Sequence, residues 1–160
     1  MIAGLSVLAL ITARGGSKGL PGKNILPVQG RPLLDFTVAA ARAATCVDRV
    51  VLSTDDDAIA TVALASGCEV PFRRPAELAG DMARSIDVVL HALDQLPSLD
   101  LIVLLQPTSP MRSAADIDLA CAQLVKTEAP ACVSVTEAEQ SPYWMYRLAD
   151  GQHLQAVLEP

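Results

Sequence analysis

The stretch Val7–Ile11, with Leu5 before it, has no polar interruption and breaks directly into a segment rich in glycine and positive charge. A strand that is apolar on both faces belongs inside a parallel sheet, where packed helices remove both faces from water. The strand expected over Leu5–Ala13 is therefore central. Parallel neighbours need crossover connections of about a dozen residues or more, and the chain provides them. Pro32–Thr45 carries Leu33, Leu34, Val38 and Ala41 at helical spacing, with Pro32 suited to a first turn. Asp48–Thr54 reads as the next strand, Asp56–Ser66 as a helix ended by Gly67, and Glu69–Phe72 as a short strand. Beyond a longer connection, a helix is expected over Ser85–Leu96, the most hydrophobic strand over Asp100–Leu105, a helix over Ala114–Lys126 and a strand over Ala131–Val135. This alternation predicts an α/β fold in three layers, a mostly parallel sheet with helices on both faces.

After Thr136 the chain turns polar, then briefly aromatic, and Asp150-Gly151 predicts a hairpin turn. The length of 160 residues fits a single domain over 1–160. The hairpin has barely room to close before Pro160, so a truncated form is expected. With 51% hydrophobic but only 3% aromatic residues, the core must be built from Ala, Val, Leu and Ile. The excess of 18 Asp and Glu over 12 Lys and Arg gives a net charge of −6, which opposes non-specific nucleic-acid binding. The first apolar run is too short to span a bilayer and has no basic leader. A soluble, cytoplasmic protein without nucleic-acid or membrane partners is expected. Cys46, Cys68, Cys121 and Cys132 are too scattered for a zinc or disulfide pattern and read as packing thiols.

Chemistry concentrates in Ala13–Asn24, at the carboxyl end of the first strand, where open α/β sheets bind ligands. Gly15, Gly16, Gly19 and Gly22 let the backbone approach a ligand, and Arg14, Lys18 and Lys23 concentrate positive charge in an otherwise acidic chain. A polyphosphate fits this character better than a merely solvated surface loop does. Gly22-Lys23 resembles the end of a Walker loop, but Ser17 stands at the leading glycine position, Asn24 follows the lysine and Pro21 interrupts. A dinucleotide fingerprint is missing too, and Asn24–Val28 reads as extended where that fold would start a helix.

The segment Ile11–Asn24 resembles the signature loop of the acylneuraminate cytidylyltransferases, the family of the CMP-sialic acid synthetases and their pseudaminic and legionaminic acid relatives. Three further segments match in order: Val51–Asp55, Arg73–Asp81 and Leu104–Arg112. The resemblance implies a Rossmann-like nucleotidyltransferase fold and transfer of CMP from CTP to the anomeric hydroxyl of a nonulosonic (sialic-type) acid, with release of pyrophosphate. It implies that Arg14, Gly15, Gly16, Ser17, Lys18 and Lys23 surround the triphosphate, with Arg14, Lys18 and above all Lys23 acting catalytically on its charge. Asn24 and Ser85 would hold the ribose, Arg74 would read the cytosine edge, and Gln106 would lie where nucleotide and acceptor meet. Gln106-Pro107-Thr108 argues against the Kdo branch, whose corresponding segment is acidic. Mg²⁺ is the implied cofactor, but its carboxylates would lie in an aspartate-rich segment beyond residue 160, so no metal ligand is assigned within the chain. Full-length members are expected to be homodimers. If the chain is truncated, a CTP- or CMP-binding module without turnover is the alternative, as is a nucleotidyltransferase for another sugar acid.

Several of these residues have plainer readings. Arg74 suits a loop anchor that bonds backbone carbonyls, and Ser85 suits a helix cap. Asp55, beside Asp56 and Asp57, reads as a helix start favouring negative charge rather than as a metal ligand. Gln106-Pro107-Thr108 can be a strand-ending turn. His91 is expected to be packed within its helix, and His153 solvated.

Overall fold

The computed structural model describes residues 1–137, 139–149 and 151–158. Its central strand, β1 (Val7–Thr12), is followed by a two-residue ladder of β2 (Pro27–Val28) and β3 (Arg31–Pro32), then α1 (Leu33–Ala43) and β4 (Arg49–Ser53). Then come α2 (Asp57–Ala65), α3 (Ser85–Asp94), β5 (Leu101–Leu105), α4 (Ala114–Thr127) and a hairpin of β6 (Tyr146–Ala149) and β7 (His153–Ala156). The main sheet has the order β4-β1-β5, and both pairings are parallel. In the register, Leu10 lies opposite Val51 on one side and Leu104 on the other.

Alternation along β1 sorts the core into two layers. Val7, Ala9 and Ile11 face Leu34, Val38 and Ala41 of α1, Ile59 and Ala63 of α2, and Ile117 and Cys121 of α4. Leu8 and Leu10 face the other way, with Val51, Ala92 of α3 and the flanking Phe72, Val89, Leu96 and Leu99. Helices therefore cover both faces, and the three-layer α/β reading holds. The strand is apolar from Val7 to Ile11 because neither face meets water there.

One polar clamp ties the helices of the first layer together. The Asp118 carboxylate on α4 accepts from the Thr45 N–H (3.0 Å) and the Cys46 N–H (2.9 Å), just beyond α1, and from the Thr45 hydroxyl (3.0 Å). These bonds favour the ionised form and hold its pKa at about 2, below the ordinary 3.8.

Four expectations need correction. Ala131–Val135 forms no strand: it is exposed, with Val133 and Val135 in water, and it pairs with no strand among the described residues. Cys132 on that segment is accordingly exposed, while Cys46, Cys68 and Cys121 are buried as packing thiols. The strand over Glu69–Phe72 shrinks to a single parallel bridge between Glu69 and Val51, after which Phe72 turns into the core. Asn24–Val28 is not extended from its start: Gly22 adopts a left-handed φ of 66° and opens a 3-10 turn over Lys23–Ile25. The expected hairpin is present as β6 and β7; Asp150 of its turn lies outside the described residues. His91 packs edge-on against Phe72 at 5.4 Å, as a core histidine, and His153 is exposed.

Asp118 generates a pH signature. Because its folded pKa is depressed, the stability it contributes is complete above about pH 4 and is lost as pH falls toward about pH 2. Asp118→Ala is expected to lower the urea midpoint near neutrality and to flatten its decline over that acid window, compared with the parent in equilibrium unfolding.

Candidate active site at the carboxyl edge of the sheet

The carboxyl ends of the paired strands β1 and β5 lie side by side at the edge of the sheet where open α/β sheets bind ligands. A cleft of about 290 Å³ opens there. Thr12, Arg14, Ser17, Lys23 and Asn24 line it from the β1 side, Gln106, Pro107 and Thr108 from β5, and Arg74, Gly80, Asp81, Ala83 and Ser85 from the connection between. Of the residues singled out in the sequence, Arg14, Ser17, Lys23, Asn24, Arg74, Ser85 and Gln106 line this cleft. Gly15, Gly16 and Lys18 do not line it. Gly16 is open to solvent, and Lys18 reaches the cleft only through its ion pair with Asp81.

The segment Ser53–Asp56, at the end of β4, organises the walls. Ser53 and Thr54 are fully buried. The Ser53 hydroxyl accepts from Arg74 Nε at 3.0 Å, and its carbonyl accepts from Arg74 Nη2 and from the Ala13 N–H. Thr54 O accepts from the Arg74 N–H at 2.9 Å. Arg74 is only 5% exposed. Burial lowers its pKa, the negative Asp55 works against that, and Arg14 adds to it. The anchoring reading of Arg74 is thus realised at the cleft wall, with Nη1 left over from the two nitrogens that hold Ser53.

Asp55 departs from its expected place. The helix cap is Asp56, whose Oδ1 accepts from the Ile59 N–H at 3.0 Å, while Asp55 Oδ1 accepts from the Gly15 N–H at 3.0 Å and ties the glycine loop to β4. A run of three aspartates before a helix looks the same in sequence whichever one caps it, so this division of labour was not readable. Asn24, 5% exposed, donates Nδ2 to the Arg14 carbonyl at 3.0 Å and closes the other side of the loop. Ser85 begins α3 instead of capping it; the cap position is Arg84, whose side chain makes no capping bond.

Charge in the cleft is unevenly spent. Arg14 donates Nη2 to Asp81 Oδ1 at 2.9 Å and Nη1 to the Ala79 carbonyl at 3.2 Å, and Lys18 pairs with Asp81 Oδ2. The Lys18 and Arg14 hydrogen bonds lower the Asp81 pKa. Lys23 is half-buried and has no ion pair among the described residues. Sequence reasoning passed over Asp81; its only signal was an acidic residue closing the Arg73–Asp81 segment.

Residues 8–152 match the cytidylyltransferase family model. The chain is 38% identical over 144 residues to a CMP-N,N'-diacetyllegionaminic acid synthase from Legionella pneumophila, with 88% of the chain and 62% of that protein covered. It is 35% identical over 144 residues to an N-acylneuraminate cytidylyltransferase from Escherichia coli, covering 90% of the chain and 34% of the relative. Among solved structures, a CMP:2-keto-3-deoxy-manno-octonic acid synthetase complexed with CTP superposes with a TM-score of 0.68 at 24% identity, over 78% of the chain and 49% of that protein, a likeness of fold. The chain thus spans from about a third to under two thirds of these proteins' lengths. Among the described residues, no helix is long and apolar enough to cross a membrane.

The loop's tightest contact makes a direct prediction. A Cβ at Gly15 would lie 2.5 Å from Asp56 Oδ2 and 2.9 Å from Asp56 Cβ, whereas a Cβ at Gly16 meets nothing within 4 Å. Gly15→Ala must push Asp56 off its cap, a loss of about 1 kcal/mol or more. Urea unfolding should register that drop for Gly15→Ala and almost none for Gly16→Ala.

Proposed function

The chain belongs to the cytidylyltransferase family, and on that premise we propose that its cleft binds CTP for transfer of CMP to a nonulosonic (sialic-type) acid. The observation that carries this reading is the convergence of Arg14, Lys23, Arg74 and Gln106 on one cleft at the ends of β1 and β5. The names of the relatives support the nonulosonic class, with 38% identity to the legionaminic acid synthase.

In the proposed reaction, the anomeric hydroxyl of the sugar acid attacks the α-phosphorus of CTP. A new P–O bond forms, the bond to the β-phosphate oxygen breaks, pyrophosphate leaves and the hydroxyl proton passes to water. Such in-line transfer is accelerated by positioning and by neutralising charge. Lys23, half-buried and without an ion pair among the described residues, meets the α-phosphate, while Arg14 and Lys18 take the departing phosphates and Ser17 adds a hydroxyl. Gly15 and Gly16 keep the loop backbone close to the phosphates. Arg74 Nη1 faces the base, Asn24 Oδ1 and Ser85 hold the ribose, and Gln106 meets the acceptor.

Mg²⁺ is the divalent ion expected to accompany the nucleotide. Among the described residues, no group of three or more His, Cys, Asp or Glu could hold a metal, and the carboxylate that lines the cleft, Asp81, is engaged by two cations. These residues do not fit a protein-held Mg²⁺. That favours, as a second reading, a unit that binds CTP or CMP without turnover. Pyrophosphate release with CTP, Mg²⁺ and a panel of sugar acids separates the two.

Calorimetry is expected to show CTP and CMP binding in preference to ATP and GTP; equal affinities would remove the base-reading role from Arg74. Arg14→Ala or Lys23→Ala is expected to weaken CTP binding by about 1–3 kcal/mol, the worth of a charge-assisted contact, with the fold intact by circular dichroism. Unchanged affinity at low salt would remove the loop from the site.

A further inference from the structure

We infer that Asp81 is an internal stand-in for a phosphate, holding Arg14 and Lys18 while the cleft is empty and giving way when a polyphosphate arrives. This rests on the reading of Arg14 and Lys18 as phosphate-binding cations. The two Asp81 oxygens are divided between them, Oδ1 to Arg14 Nη2 at 2.9 Å and Oδ2 to Lys18 Nζ. Two oxygens of one phosphoryl group would bridge the same pair of cations in the same way.

The geometry also provides the exchange. Asp81 lies on the strap 79–83, which runs across the cleft wall between the 3-10 turn Ala76–Leu78 and α3. Arg14 bonds the strap a second time, through the Ala79 carbonyl at 3.2 Å. Packing adds little at the strap's crest, where Met82 is 92% exposed, and Gly80 has free space around its α-carbon. The ion pairs are solvated, with Lys18 81% and Asp81 43% exposed, and exposed pairs of this kind are weak. A ligand carrying several negative charges outcompetes one carboxylate, and its arrival frees the strap from the glycine loop. When pyrophosphate has to leave, the return of Asp81 to the same cations opposes its rebinding.

The test is calorimetry of inorganic pyrophosphate and, as a control, cytidine, with the parent chain and with Asp81→Asn, which keeps the shape and removes the charge. Pyrophosphate is expected to bind about threefold to tenfold more tightly to Asp81→Asn at low salt, two weak ion pairs no longer having to be broken. Cytidine affinity should stay the same, and the pyrophosphate gain should shrink as salt screens the pairs. Asp81→Ser, checked for fold by circular dichroism, should behave alike. Equal or weaker pyrophosphate binding by both variants would overturn the inference, since Asp81 would then be preorganising the cations. Arg14→Ala and Lys18→Ala keep the two readings apart: if neither weakens pyrophosphate binding in the parent chain, the phosphate role of the loop fails; if either does while Asp81→Asn gains nothing, only the stand-in role fails.

Discussion

The site hangs on four consecutive residues, Ser53 to Asp56, of which three side chains grip different parts of the fold and the fourth, Thr54, braces the segment itself. Ser53 holds the buried Arg74, the Thr54 hydroxyl accepts from the Asp56 N–H at 3.2 Å, Asp55 holds Gly15, and Asp56 caps α2. Burying Ser53 and Thr54 completely is tolerable only because their polar atoms are bonded. The arginine they hold would be costly to bury alone, so the brace and the cation require one another. Through this one segment the β1 loop, the end of β4 and the Arg74 connection acquire a common reference, and a cleft of defined width follows.

The sheet itself answers to a simpler constraint. β1 is buried on both faces, so its apolar run was legible as a central strand, and the helices that cover it were legible from their spacing. The glycine loop announced itself by composition and by its place after β1. Elements whose state depends on a neighbour were not legible in the same way. Ala131–Val135 has the residues of a strand but joins no ladder among the described residues, and Glu69–Phe72 keeps one bridge before Phe72 is drawn into the core. Periodicity reports what a segment can bury, whereas pairing depends on what lies beside it.

The same distinction runs through the site. Arg14, Lys23, Arg74 and Gln106 could be singled out in sequence because a resemblance marked their segments, and they line one cleft, whereas Lys18 does not. The carboxylates could not be singled out. Asp55, Asp56 and Asp57 are chemically alike, and only their distances to Gly15 and Ile59 separate a loop tether from a helix cap. Asp81 becomes meaningful only when the fold brings it across from the Arg73–Asp81 segment to Arg14 and Lys18.

The outer edge of β5 has no strand partner among the described residues, and Leu104 on it is 41% exposed. This edge combines backbone donors and acceptors outside any ladder among the described residues with the partly exposed Leu104, the pairing that favours edge-to-edge association of β proteins. A net charge of −6 keeps molecules apart at low ionic strength. Concentrated salt removes that repulsion and leaves the apolar edge in place, so the colloidal behaviour of the chain is governed from the side of the sheet opposite β4.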